Sequence, residues 1–167
     1  RVFKKLIYAI KNKLRIKNFV NRLKNFKKIN SLENEFSKHF DISATDIKNK
    51  IIHIDHHLAH AASTVFPSKF DNTNYITVDG FGDFLSTTIG NYDSGKFNIF
   101  KEVEFPHSLG LFYTAITQYL GFKHYGDEYK VMGLAPYGEP IFLEKMLDIV
   151  QVDKKNLFKL NLDYFVH

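Results

Sequence analysis

The sequence predicts an α/β domain in which a three-strand antiparallel meander is flanked by helices. Residues 74–105 contain three β-type runs, separated by turn-like residues at 79–83 and 93–96. The segments on either side repeat apolar residues every three or four positions, which is the period of an amphipathic helix. With 167 residues, the chain can bury one core but is too short for two full lobes and a cleft.

The first thirty residues form a strongly basic segment. They contain eleven Lys or Arg and no Asp or Glu, whereas the remaining residues hold 12 basic and 18 acidic side chains. Apolar residues recur there at helical spacing, which predicts one long amphipathic helix or two helices broken near Asn18. We interpret the charges as the solvated face of that helix. A surface for nucleic acid, acidic lipid or an acidic partner is the alternative.

We divide the chain into a basic helical segment at 1–49 and a domain at 50–167. Within the first, helices are predicted over about 32–40 and, as a short turn, over 43–50. No apolar run approaches the roughly 20 residues of a membrane span, and the sequence contains no cysteine. We expect a cytoplasmic protein without a membrane span. Because the sequence begins with Arg1 rather than Met, we also expect part of a longer polypeptide.

Residues 50–55 form a short segment rich in Ile, which predicts a short strand. The residues that follow are rich in Ala and Leu and contain no Gly or Pro before Pro67. They predict a helix from His56 onward, with Asp55 near its start.

His56 and His60 are four residues apart, so a helix places both imidazoles on one face, where they can bind one cation. His57 points elsewhere. Zinc proteases with this spacing carry a Glu directly after the first histidine as the base, so His57 at that position argues against a protease. The alternative is that both histidines are structural residues, held by hydrogen bonds near a helix start.

The turn after the first long predicted strand reads Asp-Gly-Phe-Gly-Asp at 79–83. Glycines in such a turn permit positive φ and let backbone N–H groups approach an anion such as phosphate. Asp79, at the end of the strand, could add an oxygen ligand for a divalent cation. An ordinary hairpin turn is the alternative, because Asp-Gly is a common turn dipeptide.

A glycine-rich stretch lies at 121–138, after a helix that Ser108 is predicted to cap and Gly121 to end. Its composition predicts a loop that wraps a ligand, in which Lys130 meets a phosphate. The alternative is a solvated lysine beside two acidic residues. A last helix is predicted over 141–150.

Three motifs occur in order along the chain: His-His-Leu-Ala-His-Ala-Ala-Ser at 56–63, Val-Asp-Gly-Phe-Gly-Asp at 78–83 and Gly-Asp-Glu-Tyr-Lys-Val-Met-Gly-Leu-Ala-Pro-Tyr-Gly at 126–138. In this order they resemble the carbamoyltransferase family of nodulation and antibiotic-tailoring enzymes. The resemblance covers residues 51–138, about half of the chain. It implies part of an amino-terminal lobe with the actin-like, or ribonuclease H-like, fold of sugar kinases, similar to the tRNA threonylcarbamoyl transferase.

The resemblance also implies a reaction. In such enzymes an adenylate-forming lobe makes carbamoyl-adenylate from carbamoyl phosphate and ATP. The amino-terminal lobe then transfers the carbamoyl group to a hydroxyl of a sugar or natural product, which attacks directly, so no protein nucleophile is required. As part of an O-carbamoyltransferase, this chain would need the remainder of the enzyme as its partner. Nucleic acid is not an expected partner.

Site residues follow from the same resemblance. A divalent metal, iron in the first place with zinc or magnesium as alternatives, would hold the phosphate of the adenylate. The implied metal ligands are His56, His60 and Asp79. The residues implied to face the phosphate are Gly80, Gly82 and Asp83, and those implied to line the nucleotide pocket are Lys130 and Gly133.

Three parts of the family pattern are expected outside these residues: an opening β-hairpin, a fourth metal ligand far downstream, and the adenylate-forming lobe. We therefore do not expect catalysis by this chain alone. Two other functions fit some of the motifs. A nucleotide-dependent kinase or ATPase of the actin-like fold would use the phosphate turn but not the histidines. A basic module would bind nucleic acid or membrane with a steep salt dependence.

Overall fold

The computed structural model describes residues 32–165 together with Ile7. The chain divides into two compact units, Arg1–Ile54 and Asp55–His167. The basic helix predicted for residues 1–30 lies outside the described residues, except at Ile7.

Two helices are described in the first unit. α1 spans Leu32–Phe40 and α2 spans Ala44–Lys48, which confirms the two helices predicted there. α1 begins with acidic and ends with basic side chains, an arrangement that complements the helix dipole. The rings of Phe36 and Phe40 stack one turn apart, with their centroids separated by 5.9 Å. These local interactions stabilise α1, although none of its residues is buried.

The strand predicted at 50–55 is wrong. Residues 51–55 have no regular secondary structure, and the described strands pair only with one another. Ile52 and Ile54 are 83% and 67% exposed. A β-type sequence forms a strand only when a partner strand supplies hydrogen bonds. Within residues 32–165 no strand does so for this segment.

The second unit begins with α3, His56–Val65, the helix predicted for the Ala- and Leu-rich segment. Asp55 is its N-cap, and a carboxylate oxygen of Asp55 accepts a hydrogen bond of 3.2 Å from the backbone N–H of Leu58. One face of the helix packs against the sheet that follows. Its buried residues are His57, Ala61 and Val65.

Three antiparallel strands follow, with β2 between β1 and β3. The strands are β1, Thr73–Gly82, β2, Leu85–Asp93, and β3, Lys96–Glu104. This order confirms the predicted meander. Both connections are two-residue turns. β2 is buried along most of its length because it has a neighbour on each side.

α4, Leu109–Tyr119, packs against β1. The side chain of Ser108 accepts a hydrogen bond from the N–H of Leu111 and caps the helix, as predicted. Gly121 follows the end of the helix with a φ of +97°, a conformation that favours glycine, and this too confirms the prediction.

The ligand-wrapping loop predicted at 121–138 is wrong over its second half. Residues 128–137 form α5, Glu128–Leu134, and a 3₁₀ turn, Ala135–Tyr137. The side chains before Gly133 are compatible with a helix, and one glycine inside a helix costs only about 1 kcal/mol. Composition alone therefore overstated the share of loop.

The chain continues as a predicted helix, α6, and then as a hairpin that was not predicted from the sequence. The elements are α6, Leu143–Ile149, β4, Val150–Asp153, β5, Leu157–Leu160, and a 3₁₀ turn, Leu162–Tyr164. α6 lies within the predicted 141–150. β4 and β5 pair antiparallel but have only four residues each, too few for alternation to be visible in the sequence. Among the described residues, no helix is long and apolar enough to cross a bilayer.

Candidate metal centre

The start of α3 and the end region of β1 bring three ligand-type side chains together. His56 Nε2 lies 2.6 Å from Asp79 Oδ2 and 3.1 Å from His60 Nε2. His60 Nε2 lies 3.6 Å from Asp79 Oδ2. The three residues form one cluster whose ligand atoms all lie within 4.8 Å of one another. All three side chains are partly exposed, so ions can reach them.

Two of the three separations within this cluster, 3.1 and 3.6 Å, are close to those between ligands of one cation, and the third, 2.6 Å, is shorter. Atoms bound to the same ion at about 2.1 Å lie about 3.0 Å apart in octahedral and about 3.4 Å apart in tetrahedral geometry. Hydrogen bonds alone explain the two short contacts of His56 Nε2 less well. His56 Nε2 carries at most one proton, which can point at Asp79 or at His60 but not at both. One of its two short contacts is then left without a hydrogen.

Asp79 is held in its charged form. Burial by itself raises the pKa of its carboxyl, but the hydrogen bonds from His56 and the Gly80 N–H, with the charges of both histidines, bring the pKa below its ordinary value. The Gly80 N–H donates to Asp79 Oδ1 at 2.6 Å, while Oδ2 faces the histidines. An ionised carboxylate is the form that binds metal ions.

The two glycines of the turn have different surroundings. A Cβ on Gly82 would overlap the imidazole ring of His56, so only glycine lets the ring lie against this backbone. A Cβ on Gly80 would meet nothing closer than Leu111 Cδ2 at 3.7 Å, an ordinary van der Waals contact. Gly82 therefore shapes the cluster sterically, whereas Gly80 contributes an N–H to Asp79.

Asp83 contacts the start of α3. Its Oδ2 accepts a hydrogen bond of 2.9 Å from the backbone N–H of His56. A carboxylate in this place satisfies an N–H that has no partner within the helix, and it interacts favourably with the helix dipole. The structure thus links Asp83 to the backbone of the first histidine of the cluster.

Two residues near the start of α4 hold Asp79 through contacts that were not predicted from the sequence, although Ser108 was predicted as the cap of this helix. Ser108 is fully buried, and its hydroxyl lies 3.1 Å from the carbonyl oxygen of Asp79 and 2.8 Å from that of Gly80. A Cβ on Gly110 would come within 2.8 Å of the peptide that joins Asp79 to Gly80. A glycine in the first turn of a predicted helix is a visible signal, but the sequence does not reveal which backbone lies beside it.

His57 is a core residue rather than a ligand. It is fully buried, with Nε2 3.0 Å from the carbonyl oxygen of Leu85 and Nδ1 2.8 Å from Oγ1 of Thr77. A carbonyl only accepts, so Nε2 carries a proton, and in the neutral ring Nδ1 accepts from the Thr77 hydroxyl. Thr77 Oγ1 is in turn 2.7 Å from Oγ1 of Thr88. This hydrogen-bonded chain ties α3 to β1 and β2.

A groove of 910 Å³ shares Asp79 with the cluster. It is lined by Gly80, by α4, and by residues 122–126. Its side chains combine aromatic rings with hydrogen-bonding groups. Among them are Tyr113, Phe122 and Tyr125, and Thr114, Gln118 and Glu128.

Lys130 and Gly133 lie on α5 and do not line this groove. Lys130 Nζ is 2.7 Å from Asp127 Oδ1, and this hydrogen bond raises the pKa of Lys130 and lowers the pKa of Asp127. The ammonium also lies 5.9 Å from the ring centroid of Phe122. Gly133 has no neighbour within 4 Å of a Cβ built on it. Lys130 is therefore engaged at the start of α5.

Residues 4–167 match the family model described as the carbamoyltransferase N-terminus. The chain belongs to the carbamoyltransferase family, as the order of its three motifs predicts.

Individual relatives agree with this assignment. The chain is 44% identical over 112 residues to an uncharacterized protein of Synechocystis sp., covering 66% of this chain and 18% of that protein. It is 40% identical over 92 residues to nodulation protein NolNO of Sinorhizobium fredii, with coverages of 55% and 13%. It is 47% identical over 89 residues to nodulation protein NolO of Bradyrhizobium diazoefficiens, with coverages of 52% and 16%. The matches thus span less than a fifth of the length of each of these relatives.

Proposed function

We propose that this chain is part of an O-carbamoyltransferase in which His56, His60 and Asp79 bind a divalent cation at the reacting centre. The observation that carries the proposal is the convergence of two imidazole nitrogens and one carboxylate oxygen. Membership of the carbamoyltransferase family supports the reaction, which is transfer of a carbamoyl group to a hydroxyl of a sugar or natural product.

The donor set favours some ions over others. Two histidines and one carboxylate are the ligand set of many non-haem iron(II) sites, and they also suit zinc. Magnesium prefers oxygen ligands and fits this set less well. We therefore propose iron(II) as the resident ion, with zinc as the second choice. Such three-ligand sites keep coordination positions open for a reactant.

The proposed carbamoyl donor is carbamoyl-adenylate, which another part of the enzyme makes from carbamoyl phosphate and ATP. The bound cation supplies positive charge that stabilises the phosphate and the AMP that leaves. Asp79 holds the cation in this scheme together with the two histidines, and the hydrogen bond from the Gly80 N–H favours the ionised form of its carboxylate. Use of ATP supports the expected cytoplasmic location.

We assign the nucleoside part of this donor to the groove that shares Asp79 with the cluster. Its volume of 910 Å³ lies in the usual range of ligand pockets. The rings of Tyr113, Phe122 and Tyr125 offer surfaces on which a base can stack. Thr114 and Glu128, joined by a hydrogen bond of 2.6 Å, offer polar groups for the ribose hydroxyls.

The finer fold assignment is also a proposal. An antiparallel meander followed by a helix that packs on its first strand is the start of an actin-like, or ribonuclease H-like, subdomain. The order β1, β2, β3 and α4, with α4 against β1, supports this assignment. The reactive cluster then lies where this subdomain meets α3.

Metal binding by the 167-residue chain tests the site directly. Titration with Co²⁺, followed by visible absorption, should show one saturable site. His56→Ala and His60→Ala should each weaken binding by more than the roughly tenfold to hundredfold loss that follows changes around the ligands. His53→Ala is the matched control, because His53 is an exposed histidine three residues before His56. A wild-type chain that binds no Co²⁺ would contradict the proposed metal site.

The reaction is tested in the complete enzyme of which this chain is a part. Carbamoyl transfer from carbamoyl phosphate and ATP to a sugar hydroxyl should be lost in Asp79→Ala. Transfer that survives this change would contradict the role proposed for Asp79.

A further inference from the structure

The turn between β1 and β2 carries two consecutive non-glycine residues in the left-handed region. Asp83 has a φ of +51° and Phe84 a φ of +74°, between the paired residues Gly82 and Leu85. Positive φ at both central positions is the geometry of a type I′ turn, in which Asn, Asp and Gly are favoured. A bulky aromatic residue at positive φ is a conformational outlier.

The turn between β2 and β3 has the same geometry but a less strained composition. Its central residues are Ser94, with a φ of +49°, and Gly95, with a φ of +83°. Glycine thus occupies the position that Phe84 fills in the first turn. No neighbour lies within 4 Å of a Cβ built on Gly95. The first turn thus has the residue that is energetically less favourable at this position.

Two sets of contacts hold the first turn in place. Asp83 Oδ2 accepts the hydrogen bond of 2.9 Å from the His56 N–H. Phe84 packs its ring against Phe105, with centroids 5.4 Å apart, and its carbonyl accepts from the Phe105 N–H at 3.0 Å. Strained backbone of this kind persists where surrounding contacts over-determine it, and it clusters at functional sites.

We propose that Asp83 is a positioning residue that fixes His56 for metal binding, and this role rests on the proposed metal site. Asp83 holds the backbone of His56 through its N–H, while Gly82 bounds the imidazole ring. The turn therefore contacts His56 at both its backbone and its ring, and these contacts keep Nε2 of His56 beside Asp79. In this role Asp83 acts as a hydrogen-bond acceptor for the protein backbone, not as a partner of the phosphate.

Three variants separate this role from turn stability and from charge. Asp83→Gly removes the carboxylate but suits positive φ, so the turn is kept. Asp83→Asn keeps an oxygen acceptor and tolerates the left-handed region, but removes the charge. Ser94→Ala perturbs the other hairpin turn at nearly the same φ and is the control. The readouts are Co²⁺ affinity by visible absorption and hydrogen exchange of the His56 amide, by NMR, in the metal-free chain.

We expect Asp83→Gly to lower Co²⁺ affinity by about tenfold or more, as is typical when a ligand loses its orienting partner. It should also accelerate exchange of the His56 amide. Asp83→Asn should retain both wild-type values, and Ser94→Ala should change neither. Wild-type exchange in Asp83→Gly, or equal losses in Asp83→Gly and Asp83→Asn, would overturn the proposal. If the wild-type chain binds no Co²⁺, the metal site fails, and the His56 exchange still decides whether Asp83 positions His56.

Discussion

Gly82 and the imidazole of His56 are in such close contact that a side chain at position 82 would overlap the ring. Gly82→Ala should therefore displace His56 and weaken Co²⁺ binding about tenfold or more, the loss expected when a ligand is misoriented. Gly80→Ala makes the same change in the same turn, where a Cβ meets only Leu111 at 3.7 Å. It should bind Co²⁺ like the wild type. Equal affinities of the two variants in a visible-absorption titration would refute this steric argument.

Ser108→Ala should destabilise the second unit. The change removes the cap of α4 and the buried hydroxyl whose single proton is within reach of the carbonyls of Asp79 and Gly80, at a cost of about 1–3 kcal/mol. Ser43→Ala is the control, because Ser43 precedes α2 at the cap position without a side-chain cap bond. Urea unfolding measures both. The assignment fails if Ser108→Ala costs no more than Ser43→Ala.

His57→Leu should lower stability without removing a ligand. The carbonyl of Leu85 loses its buried donor, whereas the Thr77 hydroxyl keeps Thr88 as a partner, so the free energy of unfolding should fall by about 1–3 kcal/mol. The folded fraction should still bind one Co²⁺ per chain. His53→Leu, at an exposed position, should change the free energy of unfolding little. A His57→Leu protein as stable as this control would rule out the anchoring role.

Asp79 should give the stability of the metal-free chain an acid dependence. Its pKa is lower in the folded chain than the ordinary value of 3.8, so the folded state holds this proton less tightly than the unfolded state. The resulting contribution is complete above the ordinary pKa and is lost as the pH falls through the folded pKa. The wild type should therefore lose stability relative to Asp79→Asn below about pH 4. Urea unfolding of both proteins between about pH 7 and about pH 3 measures the difference, which would be constant if Asp79 contributed nothing.

Most of the secondary structure could be predicted from local sequence patterns. The helix α3, the three strands and α4 follow from periodicity, from a cap residue and from turn dipeptides, all of which act over a few residues. The strand predicted at 50–55 fails because a strand depends on a partner that need not be near in sequence. The loop predicted over 128–137 fails because glycine content says little about the helix-compatible side chains between the glycines.

The candidate site, too, could be predicted from the sequence only in its local features. The spacing of four residues predicts that His56 and His60 share one face of a helix. The turn dipeptide predicts that Asp79 lies at the end of its strand. That these two local features meet depends on a contact between residues 23 positions apart. The contact of Asp83 with His56 spans 27 positions. Such contacts follow from the packing of α3 on the sheet, which sequence patterns do not show.

The hydrogen bonds of His57 also decide which of two adjacent histidines lies beside Asp79. Successive residues of a helix are rotated by about 100° around its axis. If α3 turned by one residue in the direction that brings His57 toward Asp79, Leu58 would take the place of His57 in the interior. The contacts of His57 with Thr77 and Leu85 exist in only one of these settings. These contacts therefore fix the rotation of α3 about its axis. His57 is held in the interior, and His56 lies at the surface beside Asp79.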